Sequence, residues 1–451
     1  MKGPTSMSIR PVAAFLLLVS SPAWAQLSVA EGPMATVQPL RGEDRSAAIA
    51  EITRKLEERY VFPDRVAAIR ARLKDGMTSG RYDIENPPAF AGRVTEDLRA
   101  ASGDRHLYLN YAPGQFAAAR AGDGKSDNRA LEAFWERRAR RDNQGLGETR
   151  ILPGNIRYLR ITAFEWVQDQ TGVAYDAARR FLRDGDAIVI DLRGNGGGSH
   201  AAVRYLLSHF MGADELDITF LQAGKDPVQS RTLDYLPAGR LKGKPLYVLI
   251  SDQVGSAAEA FAYDVQQFRL GTLVGATTAG AANNNEFSPV APGFMLSLSY
   301  GRPVHPVSKT NWEGVGVKPD VATDPDRALD LAQSLALAAL LDRSGSDAGD
   351  RAEWEWARPA VDARVNPPRL QPAAMRQLAG RYGSQRILWS GGALHLARKN
   401  GKMARLIPLT KDGLFGVEGY DDHLHIRLTG EVMELQWSDE AAATRLPRSK
   451  D

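Results

Sequence analysis

The chain has 451 residues, 43% of them hydrophobic and 25% charged, with a formal net charge of +3 and no cysteine. That length calls for two or three domains, and the composition is that of an ordinary soluble globular protein. The absent thiols exclude disulfides, thiolate metal sites and a cysteine nucleophile, and the modest charge gives no bulk basicity for holding nucleic acid.

At the N-terminus, Lys2 and Arg10 precede the apolar run VAAFLLLV, which leads to Ala23-Trp24-Ala25. A basic start, a short apolar core and a small-residue site predict a signal peptide over 1–25 and export to a bacterial periplasm or exterior. The run is too short to cross a bilayer comfortably, so no membrane span is expected. Between Arg45 and Ala101, apolar residues recur at helical spacing: Ile49, Ile52 and Leu56, then Val66, Ile69 and Leu73, then Phe90, Val94 and Leu98. Pro63, Gly76 and Asn86-Pro87-Pro88 punctuate them, which predicts an N-terminal helical bundle over 40–115. The polar stretch 116–145 reads as a connecting helix or linker.

Over 146–342 the apolar runs IRYLRI, AIVIDL, PLYVLIS and TLVG alternate with helical segments. Strands that are apolar throughout predict an α/β unit whose sheet is covered on both faces, with its chemistry at the carboxyl ends of the strands. Residues 343–373, rich in Ser, Gly, Asp and Pro, read as a linker. Short alternating segments such as ALHLA and LHIRL predict a small β-rich module over 374–451.

The strand AIVIDL runs into RGNGGGSH. A Walker loop would need Lys and then Ser or Thr after the last glycine, but Ser199 and His200 stand there. The dinucleotide fingerprint also fails, because no ribose-binding acid follows at the usual interval. What remains is a plain turn, or a loop that brings bare backbone N–H groups near a reacting atom, where a Cβ would collide. Further on, LISDQVGSAAEAFAYDV places Ser256 between an apolar strand and a helix. Ser256 and Glu259 have the S-x-x-E spacing of a capping box. The same position also exposes a nucleophile, with the Ala257 amide at the positive helix end.

Taken in order, IDLRGNGGG, SAAEAFAY, VGATTAG and TNWEGVGVKPDV resemble the C-terminal processing and tricorn-like serine peptidases, in their interphotoreceptor retinoid-binding protein-like branch, over roughly Arg45 to Leu341. The resemblance implies a crotonase-like α/β catalytic domain behind the helical bundle, and hydrolysis of peptide or protein substrates through an acyl-enzyme, without cofactor or metal. In the C-terminal processing enzymes a lysine after the TTxG turn is the base, whereas Ala281 stands at that place here. The tricorn-like branch uses a histidine from before the catalytic sheet and a glutamate near the WEG motif. That implies Ser256 as nucleophile, His106 as base and Glu313 as its orienting acid, with the Gly197 and Ala257 amides as oxyanion donors. Arg105 stands where those relatives carry a serine. His200, just past the glycine loop, is the rival base, and Asp191 and Arg193 are expected to brace that loop. The retinoid-binding relatives supply the alternative, a non-catalytic protein for small apolar ligands. No PDZ module fits between Tyr111 and Ile156, so specificity is expected from the bundle, the cleft or the C-terminal module. Nothing in the sequence fixes an oligomeric state.

Overall fold

The computed structural model describes residues 38–121, 136–398, 401–420, 422–440 and 442–449. The expected signal peptide and the middle of the connecting stretch lie outside the described residues. Helices α1 (Gly42–Arg59), α2 (Pro63–Thr78) and α3 (Pro87–Ser102) form where the periodicity places them, each burying its apolar stripe. The Asn86 side chain caps α3 by accepting from Ala89 N–H, and Gly103 ends it at φ 69°, a left-handed turn that suits glycine.

Strand β1 (Tyr108–Tyr111) follows, then β2 (Leu146–Leu152), β3 (Ile156–Ile161), β4 (Ala187–Asp191), β5 (Leu216–Gln222), β6 (Val228–Arg231), β7 (Leu246–Ile250), β8 (Thr272–Gly275), β9 (Asn284–Val290), β10 (Phe294–Val304) and β11 (Val321–Ala322). One sheet has the order β11-β8-β7-β4-β3-β2, parallel except at the β2 edge. Its central strand β4 is buried throughout because helices cover both faces, Gln168–Arg183, His200–Ser208 and Ala257–Gln267 on one and Ala328–Leu341 on the other. Strands β4 and β7 are parallel neighbours, with Asp191 opposite Leu249. The glycine loop and the Ser256 turn therefore leave the sheet side by side.

A second sheet joins β1 to β10, with β9 and β5 also paired to β10 and β6 outside β5. Its Leu109, Phe294 and Leu296, with Leu107 just before β1, share a core with Ile52, Phe90 and Leu98 of the helices. The N-terminal helices are thus packed onto a sheet built mainly from the α/β unit.

Residues 348–365, expected to be linker, instead form a helix, Ala348–Val365, capped by the Asp347 side chain. Trp354, Ala357 and Val361 pack into the core with Leu337 and Leu340, and Trp354 Nε1 donates to Asp186 Oδ2 at 2.9 Å. Only those apolar residues face the sheet. The charged residues between them, and Pro359, gave the stretch a linker-like composition. Beyond it, strands from Gly380 to Pro447 form an eight-stranded antiparallel meander with its own core. Among the described residues no helix is long and apolar enough to cross a membrane.

Candidate active site

Ser256 stands at the N-terminus of the helix Ala257–Gln267 with φ 51° and ψ −121°. A non-glycine residue in that region costs about 1–3 kcal/mol and persists only where its surroundings hold it. Here the holder is Glu259, which is fully buried. Its Oε2 accepts the N–H of Ser256 at 3.0 Å and of Ala281 at 2.8 Å, while Oε1 accepts the N–H of Gly280 at 2.6 Å and the Thr278 hydroxyl at 2.5 Å. Burial pushes the Glu259 carboxyl up to about 7, against the pull of these donors. The S-x-x-E spacing marked Glu259 as a cap. Its hold on the loop after β8 was not legible, because the partners lie about twenty positions away.

The glycine loop is braced as expected. Asp191 accepts from Tyr158 Oη at 2.7 Å and from Arg193 Nη2 at 2.6 Å, and Arg193 Nη1 reaches the Pro325 carbonyl at 2.5 Å. Asn195, fully buried, donates its Nδ2 to the Ile161 carbonyl at 3.0 Å, and its own carbonyl accepts Gly255 N–H at 3.1 Å. A Cβ on Gly197 would lie 2.7 Å from Ser256 Cβ and 3.0 Å from Ala257 N, and one on Gly198 would lie 2.2 Å from the Phe164 carbonyl oxygen. The glycines therefore serve close approach, at φ 116° and 135°.

The Gly197 amide, expected as an oxyanion donor, is turned elsewhere. Gly197 N–H donates to Asn195 Oδ1 at 2.9 Å and so is already engaged. Gly198 N–H has no acceptor among the described residues, and Gly198 lines a cleft with Ser256 and Ala257. An Asx turn across Asn195 redirects the Gly197 amide away from the cleft role that the family resemblance implies for it.

His106 follows α3 across the Gly103 turn. Asp104 Oδ1 accepts His106 N–H at 2.9 Å, and Asp104 Oδ2 accepts the Tyr60 hydroxyl at 3.0 Å. The His106 side chain is buried, and its Nδ1 lies 3.9 Å from Glu313 Oε2, which is an ion-pair separation longer than a hydrogen bond. Glu313 Oε1 accepts Arg105 N–H at 2.9 Å, and Oε2 accepts the N–H of Ala282 at 2.6 Å and of Asn283 at 3.0 Å. Burial pushes the Glu313 carboxyl up, but His106 and these backbone donors outweigh it and hold the group below its ordinary value. Arg105 serves Glu313 through its backbone N–H, which any residue but proline can supply.

The cleft beside Ser256 is lined by Gly198, Ala257, Ala282, Asn283, Trp312 and His200, among others, but not by His106. No hydrogen bond joins His106 to Ser256 among the described residues; the Ala282–Asn283 backbone, held by Glu313, connects the two. His200 Nε2 is 2.9 Å from Ser230 Oγ, which donates to Asp217 Oδ2 at 3.1 Å. His209 and His305 are buried elsewhere, and burial pushes both down to about 4. Asp104, His106 and Glu313 have ligand atoms within 4.8 Å of one another and are the described residues that could hold a metal ion. Every oxygen of the two carboxylates already accepts an N–H or O–H, an arrangement suited to orienting an imidazole.

The family model of peptidase family S41 matches residues 155–323, and that of the N-terminal domain of peptidase S41 in eukaryotic IRBP matches residues 40–132. Among solved structures, the chain is similar to a lipoprotein from Streptococcus agalactiae, with 17% identity, 65% of this chain and 96% of that chain covered, and a TM-score of 0.45. It is similar to the tricorn protease at 13% identity over 67% of this chain and 37% of that one, with a TM-score of 0.42. For the photosystem II D1 C-terminal processing protease the figures are 15%, 62%, 94% and 0.40.

Proposed function

The chain belongs to peptidase family S41 and is a serine peptidase, and from that premise we propose that Ser256 is its nucleophile, His106 its general base and Glu313 the acid that orients the base. Ser256 Oγ attacks the scissile carbonyl and gives its proton to His106 Nε2, while Nδ1–H turns to Glu313. Glu313 is kept ionised by its backbone donors, so it stabilises the imidazolium without taking the proton. The 3.9 Å separation closes to hydrogen-bond length on the substrate complex, as catalytic contacts commonly do. The oxyanion receives the N–H groups of Ala257 and Gly198, and each such donor contributes about 3 kcal/mol to the transition state. His106 then protonates the leaving amine, and water returns through the same base to free the enzyme.

The observation that carries this reading is the double duty of Glu313 Oε2, which faces His106 and also holds the Ala282–Asn283 backbone of the Ser256 cleft. Labelling with a fluorophosphonate, followed by peptide mapping, tests it. Covalent adduct at Ser256 is expected, and an unmodified Ser256 would overturn it. The same reading takes residues 1–25 as a signal peptide and the mature enzyme as exported, supported by the Lys2, Arg10 and Ala-Trp-Ala pattern. An intact mass from the native cell that retains Met1 would contradict export.

A further inference from the structure

Three residues that line the cleft beside Ser256 carry buried side-chain atoms without hydrogen-bond partners among the described residues. Asn283 is 2% exposed, yet neither its Oδ1 nor its Nδ2 has a partner among the described residues. Asn284 Oδ1 and Trp312 Nε1, from two other residues lining the same cleft, are also buried without partners. Leaving such a group unpaired costs about 1–3 kcal/mol, so four such atoms on three residues that line one cleft call for a reason. The remaining walls include Ile218, Phe220 and Ala260, which are apolar. Among the described residues no carboxylate, lysine or arginine lines the cleft, and Asp217 lies behind Ser230 and His200.

The chemistry of these atoms defines the occupant. Asn283 offers one acceptor and one amide donor whichever way its carboxamide is turned, Trp312 Nε1 offers only a donor, and Asn284 Oδ1 adds an acceptor. A carboxylate would leave the acceptors unmatched, an ammonium or guanidinium would find no counter-charge, and a large apolar group would keep all four atoms unpaired. A carboxamide supplies both complements on one planar group. Because the cleft opens beside Ser256, Ala257 and Gly198, it is reached first by the side chain next to the carbonyl under attack.

We propose that this cleft is the subsite for the substrate residue bearing the scissile carbonyl, and that Asn283 with Trp312 Nε1 selects glutamine or asparagine there. The proposal rests on Ser256 being the nucleophile. The test is a peptide library varied at the residue before the cleaved bond, digested by the full chain and read by mass spectrometry. Glutamine and asparagine should exceed alanine, lysine and glutamate by about tenfold or more in kcat/KM, since a site built to hydrogen-bond its substrate rejects analogues that cannot. Asn283→Leu should bring the glutamine-to-alanine ratio to about one, and Asn283→Asp should move the preference toward lysine and arginine by placing a counter-charge there. A wild-type preference for basic or large apolar residues would overturn the proposal. So would an Asn283→Leu variant that slows all peptides equally, because Asn283 would then serve the substrate backbone. Calorimetry on the Ser256→Ala chain reads the subsite without turnover: a product peptide ending in glutamine should bind about tenfold tighter than one ending in alanine, and equal affinities would sink the idea. A wild-type Ser256 that resists fluorophosphonate while this binding preference persists would retire the catalytic reading and the assignment to the scissile residue, and leave only a carboxamide-binding cleft.

Discussion

Glu259 Oε2 accepts the backbone N–H of Ser256 at 3.0 Å, and the other oxygen of the same carboxylate holds Gly280 at 2.6 Å. The left-handed turn that presents Ser256 is therefore tied to the loop after β8 through one buried acid. An ionised carboxylate accepts at all its sites, which matches the four donors that converge on it. Protonation sets an O–H among them.

Because burial raises this carboxyl from 4.5 to about 7, two pH dependences of opposite sign are expected. Fluorophosphonate labelling of Ser256 should fall as pH drops through about 7, as the turn loosens. Stability should move the other way. A folded-state pKa above the unfolded one means that the folded chain binds this proton more tightly, so the contribution is fully present below the unfolded value and is lost as pH rises to about 7, by up to about 3 kcal/mol. Denaturant titrations of the wild type and Glu259→Gln at pH 4.5 and pH 8 check this. The difference between the two should shift by that order, and a pH-independent difference would speak against it. Glu259→Gln should also slow labelling about tenfold or more, since its amide N–H₂ faces backbone donors.

Gly197→Ala should abolish most labelling. Its Cβ would press on Ser256 Cβ at 2.7 Å and the Gly255 carbonyl oxygen at 2.8 Å, from a backbone at φ 116°. Gly194→Ala meets only the Gln253 Oε1 at 3.8 Å and has just the positive φ of 81° to oppose it. Labelling should fall about a hundredfold or more for the first and less than tenfold for the second, given what positioning errors of an ångström cost. Equal rates for the two would mean that the loop does not approach Ser256.

A chain ending at Asn366 should fold and be labelled, whereas one ending at Ser344 should not. The shorter fragment loses Trp354, Ala357 and Val361 from the sheet's cover, and removing a buried tryptophan alone costs about 3–5 kcal/mol. The longer one keeps that cover and loses the C-terminal meander, with the stacking of Trp356 on His425 at 4.0 Å and the small cluster of Ala360 and Ala363 with Leu409. Circular dichroism and labelling of both fragments settle the matter, and a folded, labelled 344-residue fragment would show that this helix is dispensable.

What the sequence revealed followed sequence distance. Ser256, Ala257 and the glycine loop were legible because each sits where an apolar strand stops, and because β4 and β7 pair as neighbours. The facing of His106 and Glu313 came only through family resemblance. Arg105 and Glu313 touch across 208 positions, and no local periodicity encodes such a contact. The engagement of Gly197 N–H by Asn195 was hidden because a side chain competes with the backbone two residues away. The helix over 348–365 was hidden by composition, its buried Trp354, Ala357, Ala360, Val361 and Ala363 being interspersed with charges and Pro359. Orphaned atoms such as those of Asn283 belong to packing alone, and no motif announces them.

The identity of the base decides whether the N-terminal part of the chain completes the site. His106 belongs to the turn between α3 and β1, whereas His200 lies in the Ser256 cleft itself, close to Ser230 and Asp217. Fluorophosphonate labelling rates at Ser256 and peptide hydrolysis should therefore be measured side by side for His106→Ala and His200→Ala, with circular dichroism on each. His106→Ala should be slower than wild type by about a thousandfold or more, the scale of a lost general base, and His200→Ala by less than about tenfold. A near-normal rate for His106→Ala, together with collapse for folded His200→Ala, would contradict the assignment and move the base to His200.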